Sequence, residues 1–426
     1  MKKIFIIGSL IVVLGAFFLV FYFYRNYQIF SSAQSTQVKN DSLVVDSISN
    51  VINQKPLSNP PDKLRGIYIT RFSAGTKKSI DSLLSYIKSN GLNAAVVDIK
   101  DYSGYLTYKI DEPIFNSDGA NGSPSVSDIN NLIKLFHDND IYVIGRITVF
   151  EDPVLAKAYP QYALKTSSGA LWKDNLGLSW VDPACENLWS YYTQIAQDAS
   201  LKGFDEINFD YVRFASDGNL STINFPCWKS SVPKAEIIKN FFAYLRKNLP
   251  NIRLSVDLFG QTTVVNNDMG IGQLIEDAFP YFNYIDPMTY PSLYISGFDG
   301  FSNPANHPYE VINFSLKTAL LRLINFEQQN NLAAKNQSST SSIVLASSSI
   351  SSSSVSENFI LNQWPKIRPW LQDFDLSGIN YNASMVENEL RATYDSLDAP
   401  SGSAYGGFLL WSPSNNYTSG INFNNP

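Results

Sequence analysis

From Lys63 onward, short apolar runs rich in β-formers alternate with longer segments of helical period. The runs are RGIYIT (65–70), NAAVVDIK (93–100), IYVIGRITV (141–149), FDEINFD (204–210), IRLSVDLF (252–259), YIDPMTY (284–290), KIRPWLQ (366–372) and GGFLLW (406–411). Between them lie SIDSLLSYIKSNG (79–91), VSDINNLIKLFHDND (126–140), ENLWSYYTQIAQDASLKG (186–203) and KAEIIKNFFAYLRKN (234–248), each apolar at i, i+3, i+4 and i+7. Gly91 and Gly203 are placed to cap two of these helices at their C-termini. Strands alternating with helices predict a parallel sheet. Eight such units in roughly 335 residues predict an α/β fold, a (β/α)8 TIM barrel with long loops.

Three segments fall outside this pattern. Residues 4–24 are apolar and uncharged, long enough as a helix to cross a bilayer, and follow Lys2 and Lys3. A cleaved signal peptide is the rival, but its apolar core is shorter and ends in small residues, whereas this run ends in FYFYRNY. The expectation is a single-pass signal-anchor with residues 1–3 in the cytoplasm and the body extracytoplasmic. Residues 25–62 are mostly polar and end in Pro60 and Pro61, as a flexible stalk would. The domain then spans 63–426, interrupted at 328–358 by a Ser-rich stretch that reads as a disordered surface insertion.

Composition narrows the function. With 44% hydrophobic and 14% aromatic residues the chain can bury a large core. A net charge of −6 offers no basic field for a polyanion, so nucleic acid is not an expected partner. Two Cys and two His leave almost no material for a soft-metal site, and no metal or cofactor is expected. In an oxidising exterior Cys185 and Cys227 could form a disulfide or remain thiols. No Gly-rich phosphate loop opens any of the helices.

The strands themselves carry charge. Period-two alternation turns Glu206, Asn208 and Asp210 toward the barrel axis, and likewise Arg253, Ser255 and Asp257. Asp98 and Lys100 end the second strand and Arg146 lies late in the third, so the mouth is expected to be densely charged. Glu206 and Arg253 are read as a structural ion pair across adjacent strands. Asp210 and Asp257 lie near strand ends, where two carboxyl groups can flank a small reacting centre, the arrangement that cleaves glycosidic bonds. Tyr102, Tyr105, Trp172, Trp180, Tyr211, Tyr290, Tyr294, Trp370 and Trp411 fall at or just beyond strand ends, where rings can stack on sugar faces.

With these blocks in place, the chain resembles a known family, the putative glycosyl hydrolase domain, a barrel family distantly related to the α-amylase group. The likeness rests on RGIYITRFSAGT (65–76), LNAAVVDIKDYSGYLTY (92–108), IYVIGRITVFEDPVLAKAYP (141–160), LWKDNLGLSWVDPA (171–184), GFDEINFDYVRF (203–214), LSVDLFG (254–260), GIGQ (270–273), DPMTYPSLY (286–294), HPYEVI (307–312) and RPWLQDF (368–374). It implies an exported (β/α)8 hydrolase-like domain acting on polysaccharide. It further implies a nucleophile-like carboxylate at Asp210, with Arg213 beside it, and a second carboxylate at Asp257. Amylase relatives usually carry Glu at that second position, and Glu151, Asp286 and Asp373 are the other candidates for the acid. Ala215 stands where relatives commonly show Pro, and Leu293 where a His is common.

The expected function is a membrane-anchored glycoside hydrolase acting on a polysaccharide or cell-envelope glycan. Asp210 and Asp257 are its expected catalytic pair, and Asp98, Lys100, Arg146, Tyr211, Arg213, Tyr290, Trp370, Asp373 and Trp411 its expected sugar contacts. A catalytically silent glycan-binding barrel and a magnesium-dependent phosphoesterase are the alternatives.

Overall fold

The structure is a computed structural model that describes residues 54–344, 364–376, 378–398 and 404–423. The apolar runs become parallel strands: β1 (Leu64–Ile69), β2 (Ala94–Lys100), β3 (Tyr142–Thr148), β4 (Glu206–Asp210), β5 (Leu254–Phe259), β6 (Tyr284–Met288), β7 (Lys366–Ile367), β8 (Trp370–Gln372) and β9 (Gly407–Trp411). Their order is β5-β4-β3-β2-β1-β9-β8-β6-β7, and pairing of β5 with β6 closes the sheet into a barrel. β7 and β8 are two halves of one barrel strand, both paired with β6 and separated at Arg368 and Pro369, where proline lacks the N–H a ladder needs. The result is a closed eight-stranded α/β barrel, the (β/α)8 TIM fold.

Helices α1 (Lys77–Ser89), α2 (Ile129–His137), α3 (Trp189–Lys202), α4 (Lys234–Asn248), α5 (Pro308–Val344) and α6 (Ala383–Thr393) form the outer layer. Their apolar stripes bury Ile80, Leu83, Ile87, Ile133, Phe136, Ile195, Phe241 and Leu245 against the outward faces of the strands. Gly203 ends α3 in the left-handed conformation at φ 104°, and Gly91 follows α1 at φ 62°. After β5 the helix is a single turn, Ile275–Ala278.

The barrel interior is divided. Leu64, Ala94, Val96, Ile144 and Leu409 fill the side formed by β9, β1, β2 and β3. On the other side β4, β5 and β6 turn in Glu206, Asn208, Asp210, Ser255, Asp257 and Asp286, all buried.

One boundary differs from the sequence reading. The expected stalk ends earlier, because residues 54–62 lie against the floor of the barrel. The Leu57 N–H donates to Asp205 Oδ1 at 2.5 Å, the Gln54 amide donates to the Asn130 carbonyl, and Asp62 pairs with Lys366 at 2.6 Å. Helix α5 runs on through residues 328–344, into the stretch read as the Ser-rich insertion. The expected anchor at 4–24, the stalk up to residue 53 and the rest of the insertion lie outside the described residues. Among the described residues no helix is long and apolar enough to cross a membrane.

Candidate active site

Arg146 organises the C-terminal mouth of the barrel. It projects inward from β3, and its guanidinium donates through Nη1 to Asp98 Oδ1 at 2.6 Å. Nη2 and Nε both donate to Asp210 Oδ2, at 2.5 and 3.2 Å, and Nε lies 3.7 Å from Asp257 Oδ2. Three carboxyl groups from β2, β4 and β5 thus share one cation, all 4% exposed or less. The guanidinium also sits 5.1 Å from the Trp411 ring and 5.6 Å from the Tyr68 ring. Those rings stack at 4.0 Å, and Tyr68 donates its hydroxyl to Asp98 Oδ2 at 2.5 Å.

The two central carboxyl groups differ in their surroundings. Asp210 takes the Arg146 bonds on Oδ2 and the Tyr211 N–H on Oδ1 at 2.5 Å, with Tyr211 held at φ 55°. Such a left-handed conformation at a non-glycine residue is strained backbone of a kind found at functional sites. Asp257 Oδ1 accepts from Trp370 Nε1 at 2.8 Å and Asn208 Nδ2 at 2.9 Å, while its Oδ2 has no hydrogen-bond partner. Burial, together with the negative charges of Asp210 and Asp286, pushes the Asp257 carboxyl well above the ordinary carboxylate range; Arg146 opposes the shift without cancelling it. Burial likewise raises Asp98 to about 6, against the opposing pull of Arg146.

A second tier lies deeper. Arg368 donates to Asp286 Oδ2 and to Glu206 Oε1, each at 2.6 Å, with all three side chains fully buried. Burial raises Asp286 to about 7 even so. This corrects the expected Glu206–Arg253 pair. Arg253 precedes the first residue of β5 and donates instead to the Tyr142 hydroxyl at 3.1 Å, while Arg368 enters at the break between β7 and β8 and reaches Glu206 across the barrel.

The expected sugar contacts separate into groups. Asp98, Arg146, Tyr290, Trp370 and Trp411 gather around Asp210 and Asp257, and the charges of both catalytic candidates bear on the Tyr290 phenol. Trp370 is fully buried, so it holds Asp257 through its N–H and presents no stacking face. Tyr211 and Arg213 form a second group, with the Arg213 guanidinium 4.7 Å from the Trp180 ring, 5.0 Å from Tyr211 and 4.9 Å from Phe259.

Lys100 and Asp373 lie apart from the expected site. The β2–β3 register slips between Asp98 and Lys100, and the resulting bulge turns Lys100 outward to pair with Asp152 at 2.9 Å beneath the Tyr192 ring. Gly145 makes room for the displaced Ile99, since a Cβ there would fall 2.3 Å from Ile99 Cδ1. Asp373 fastens the C-terminal segment by accepting from the Thr418 hydroxyl at 2.6 Å and the Thr418 N–H at 3.0 Å. Among the other expected stacking rings, Trp172 and Trp180 belong to the core. Tyr68 was not among the sequence candidates, although alternation in RGIYIT turns it inward.

Cys185 and Cys227 are joined as a disulfide in the loops outside the barrel mouth. With Asp182 they are the one grouping among the described residues close enough to suggest a metal site. The cysteines are consumed by the bond, and Asp182 Oδ2 accepts the N–H groups of Cys227 and Trp228 at 2.8 Å each.

A barrel with paired carboxyl groups at the C-terminal ends of adjacent strands is the architecture of many enzymes, and comparison with known proteins gives the class. The family model described as "Putative glycosyl hydrolase domain" matches residues 66–332 and 324–417. The chain belongs to that family. A hypothetical protein from Ruminiclostridium thermocellum ATCC 27405 is 38% identical, with 45% of this chain and 96% of that one covered and a TM-score of 0.42. The PgaB (BpsB) glycoside hydrolase domain from Bordetella bronchiseptica is 9% identical over 84% of this chain and 95% of its own, with a TM-score of 0.49. The α-galactosidase TtGalA from Thermus thermophilus is 11% identical over 62% and 53%, with a TM-score of 0.39. No curated protein matches the chain.

Proposed function

We propose that this protein is a glycoside hydrolase acting on a polysaccharide or cell-envelope glycan, with Asp210 as nucleophile and Asp257 as general acid. The observation that carries the reading is the asymmetry of two carboxyl groups facing one guanidinium. Asp210 is hydrogen-bonded to Arg146, whereas Asp257 Oδ2 is buried without a hydrogen-bond partner and the carboxyl is raised toward its protonated form. In the first step Asp257 gives its proton to the glycosidic oxygen as that oxygen leaves, and Asp210 bonds to the anomeric carbon. In the second, Asp257 takes a proton from water, the resulting hydroxide adds to that carbon, and Asp210 departs as carboxylate.

Both Oδ2 atoms lie within reach of the same Nε, at 3.2 and 3.7 Å, so they can be no more than about 7 Å apart. Retaining enzymes place the pair about 5–5.5 Å apart and inverting ones about 6.5–9.5 Å, so the bound favours retention. The partly exposed Trp411 ring, backed by Tyr68, is the surface on which a sugar face would stack.

The same proposal places the enzyme on the outer face of a membrane through residues 4–24.

The test is release of reducing ends from bacterial and plant polysaccharides by residues 54–426, with Asp210→Asn and Asp257→Asn as controls. Release by the parent and by neither variant is the expected outcome. Binding of a glycan without release by the parent would instead make the barrel a glycan-recognition module.

A further inference from the structure

We propose that Glu151 is a substrate-contacting residue, its carboxyl group hydrogen-bonding a hydroxyl of the sugar held beside Asp210. The inference rests on the glycosidase reading above and adds a contact on the β4 side of the mouth, opposite β9 and its Trp411 in the strand order.

Glu151 follows β3 at the mouth, and the backbone around it is fixed. The Phe150 N–H donates to the Tyr211 carbonyl at 3.3 Å, the Val181 N–H to the Phe150 carbonyl at 3.0 Å and the Asp152 N–H to the Ser179 carbonyl at 3.1 Å. Glu151 is 3% exposed, yet its Oε1 has no hydrogen-bond partner. Neighbouring carboxylates are occupied. Asp174 accepts from the Leu176 and Leu178 N–H groups and from Trp180 Nε1, and Asp152 caps the Leu155 N–H and pairs with Lys100. A buried polar group left unbonded is costly, and a ligand is one of the few things that explains it.

The charged groups around Glu151 are Asp174, Asp217, Asp210 and Arg213. Arg213 is the cation that opposes the three acidic neighbours, and its Nη1 is directed to the Phe214 carbonyl and Ser216 Oγ. Burial and the three acidic neighbours therefore push Glu151 well above the ordinary carboxylate range. A protonated carboxyl both donates and accepts, which matches a sugar hydroxyl, while the three acidic neighbours disfavour a uronic acid in the same place.

The test uses Glu151→Ala and Glu151→Gln in the full chain beside Asp210→Asn, reading kcat and KM on the released polysaccharide, thermal midpoints, and binding of cello-, xylo- and maltotetraose. The expected result is a KM about tenfold higher in the Ala variant, a smaller rise in the Gln variant, and no fall in thermal midpoint, since an unpartnered buried carboxyl has been removed. A lowered midpoint with unchanged KM would assign Glu151 a structural role. Loss of kcat in the Gln variant as complete as in Asp210→Asn would make it a proton-transfer group and overturn the hydrogen-bonding role. Unchanged kinetics in both Glu151 variants while Asp210→Asn is dead would remove the inference and leave the glycosidase reading standing. If the parent releases nothing but the Ala variant loses tetrasaccharide binding, the contact stands and the hydrolase reading falls; a parent that neither cleaves nor binds overturns both.

Discussion

Replacing Asp98 with Asn isolates the energetic cost of charge in this mouth. Asp98 is 1% exposed, and burial raises its carboxyl from 3.8 to about 6, with Arg146 and the Tyr68 hydroxyl pulling the other way. Between about pH 4 and pH 6 the folded chain therefore holds this proton more tightly than the unfolded chain does. The stabilisation is fully present below the unfolded value and is lost as pH rises through the folded one. A shift of about two units at roughly 1.4 kcal/mol each is worth about 3 kcal/mol. Asn does not titrate there, yet keeps an oxygen to accept from Tyr68. Guanidinium chloride unfolding of parent and variant from about pH 4 to pH 8 gives a difference curve in which the other carboxyl groups largely cancel. The parent's stability relative to the variant should fall by about 3 kcal/mol up to pH 6 and level off above pH 7. A flat difference would mean that Arg146 fully compensates the burial, and a rising one would mean that Asp98 is held ionised; either would overturn the expected burial cost at Asp98.

Arg368→Met should cost about 3–5 kcal/mol in denaturant unfolding, because it strands Glu206 and Asp286 in a dry interior, and adding Glu206→Gln with Asp286→Asn should recover much of that loss. Replacing both Cys185 and Cys227 with Ala frees a loop whose ends are 42 residues apart, and should lower stability by about 2–4 kcal/mol, with the thermal midpoint of the parent falling similarly under reductant. Trp411→Ala removes the ring stacked on Tyr68 and should raise KM for the glycan about tenfold while changing kcat less, read from initial rates over a substrate series.

Much of the barrel was legible because alternation is a local property. Period two in FDEINFD and IRLSVDLF is enough to turn Asp210 and Asp257 toward the axis, and the structure puts both against Arg146. What alternation cannot carry is a change of phase. The bulge between Asp98 and Lys100 sends Lys100 into the helix layer, and the nearest hint in the sequence is Gly145, whose missing side chain accommodates Ile99. Partners across the barrel were equally hidden. Glu206 and Arg253 are neighbours by strand number, but Arg368 reaches Glu206 from 162 positions away, and no periodicity encodes that meeting. The sequence suggests Trp370 for its ring, but the residue serves through its N–H, a role that depends on where Asp257 lies.

The upward shift of the Asp257 carboxyl follows from the stacking of the whole interior more than from any single contact. Two guanidinium groups, Arg146 above and Arg368 below, face five carboxyl groups, and Asn208 links the tiers by donating to both Asp257 and Asp286. Two cations can balance two carboxylates, and further negative charge in this enclosure has little water to screen it. Asp98, Asp257 and Asp286 are the groups that burial drives upward, and of these Asp98 and Asp286 each receive a strong guanidinium bond. Asp257 has only the looser 3.7 Å approach of Arg146, so its protonated form is the one the enclosure favours most. On the proposed mechanism the proton donor is therefore selected by the charge balance of the barrel interior, through the carboxyl groups packed beneath Asp257.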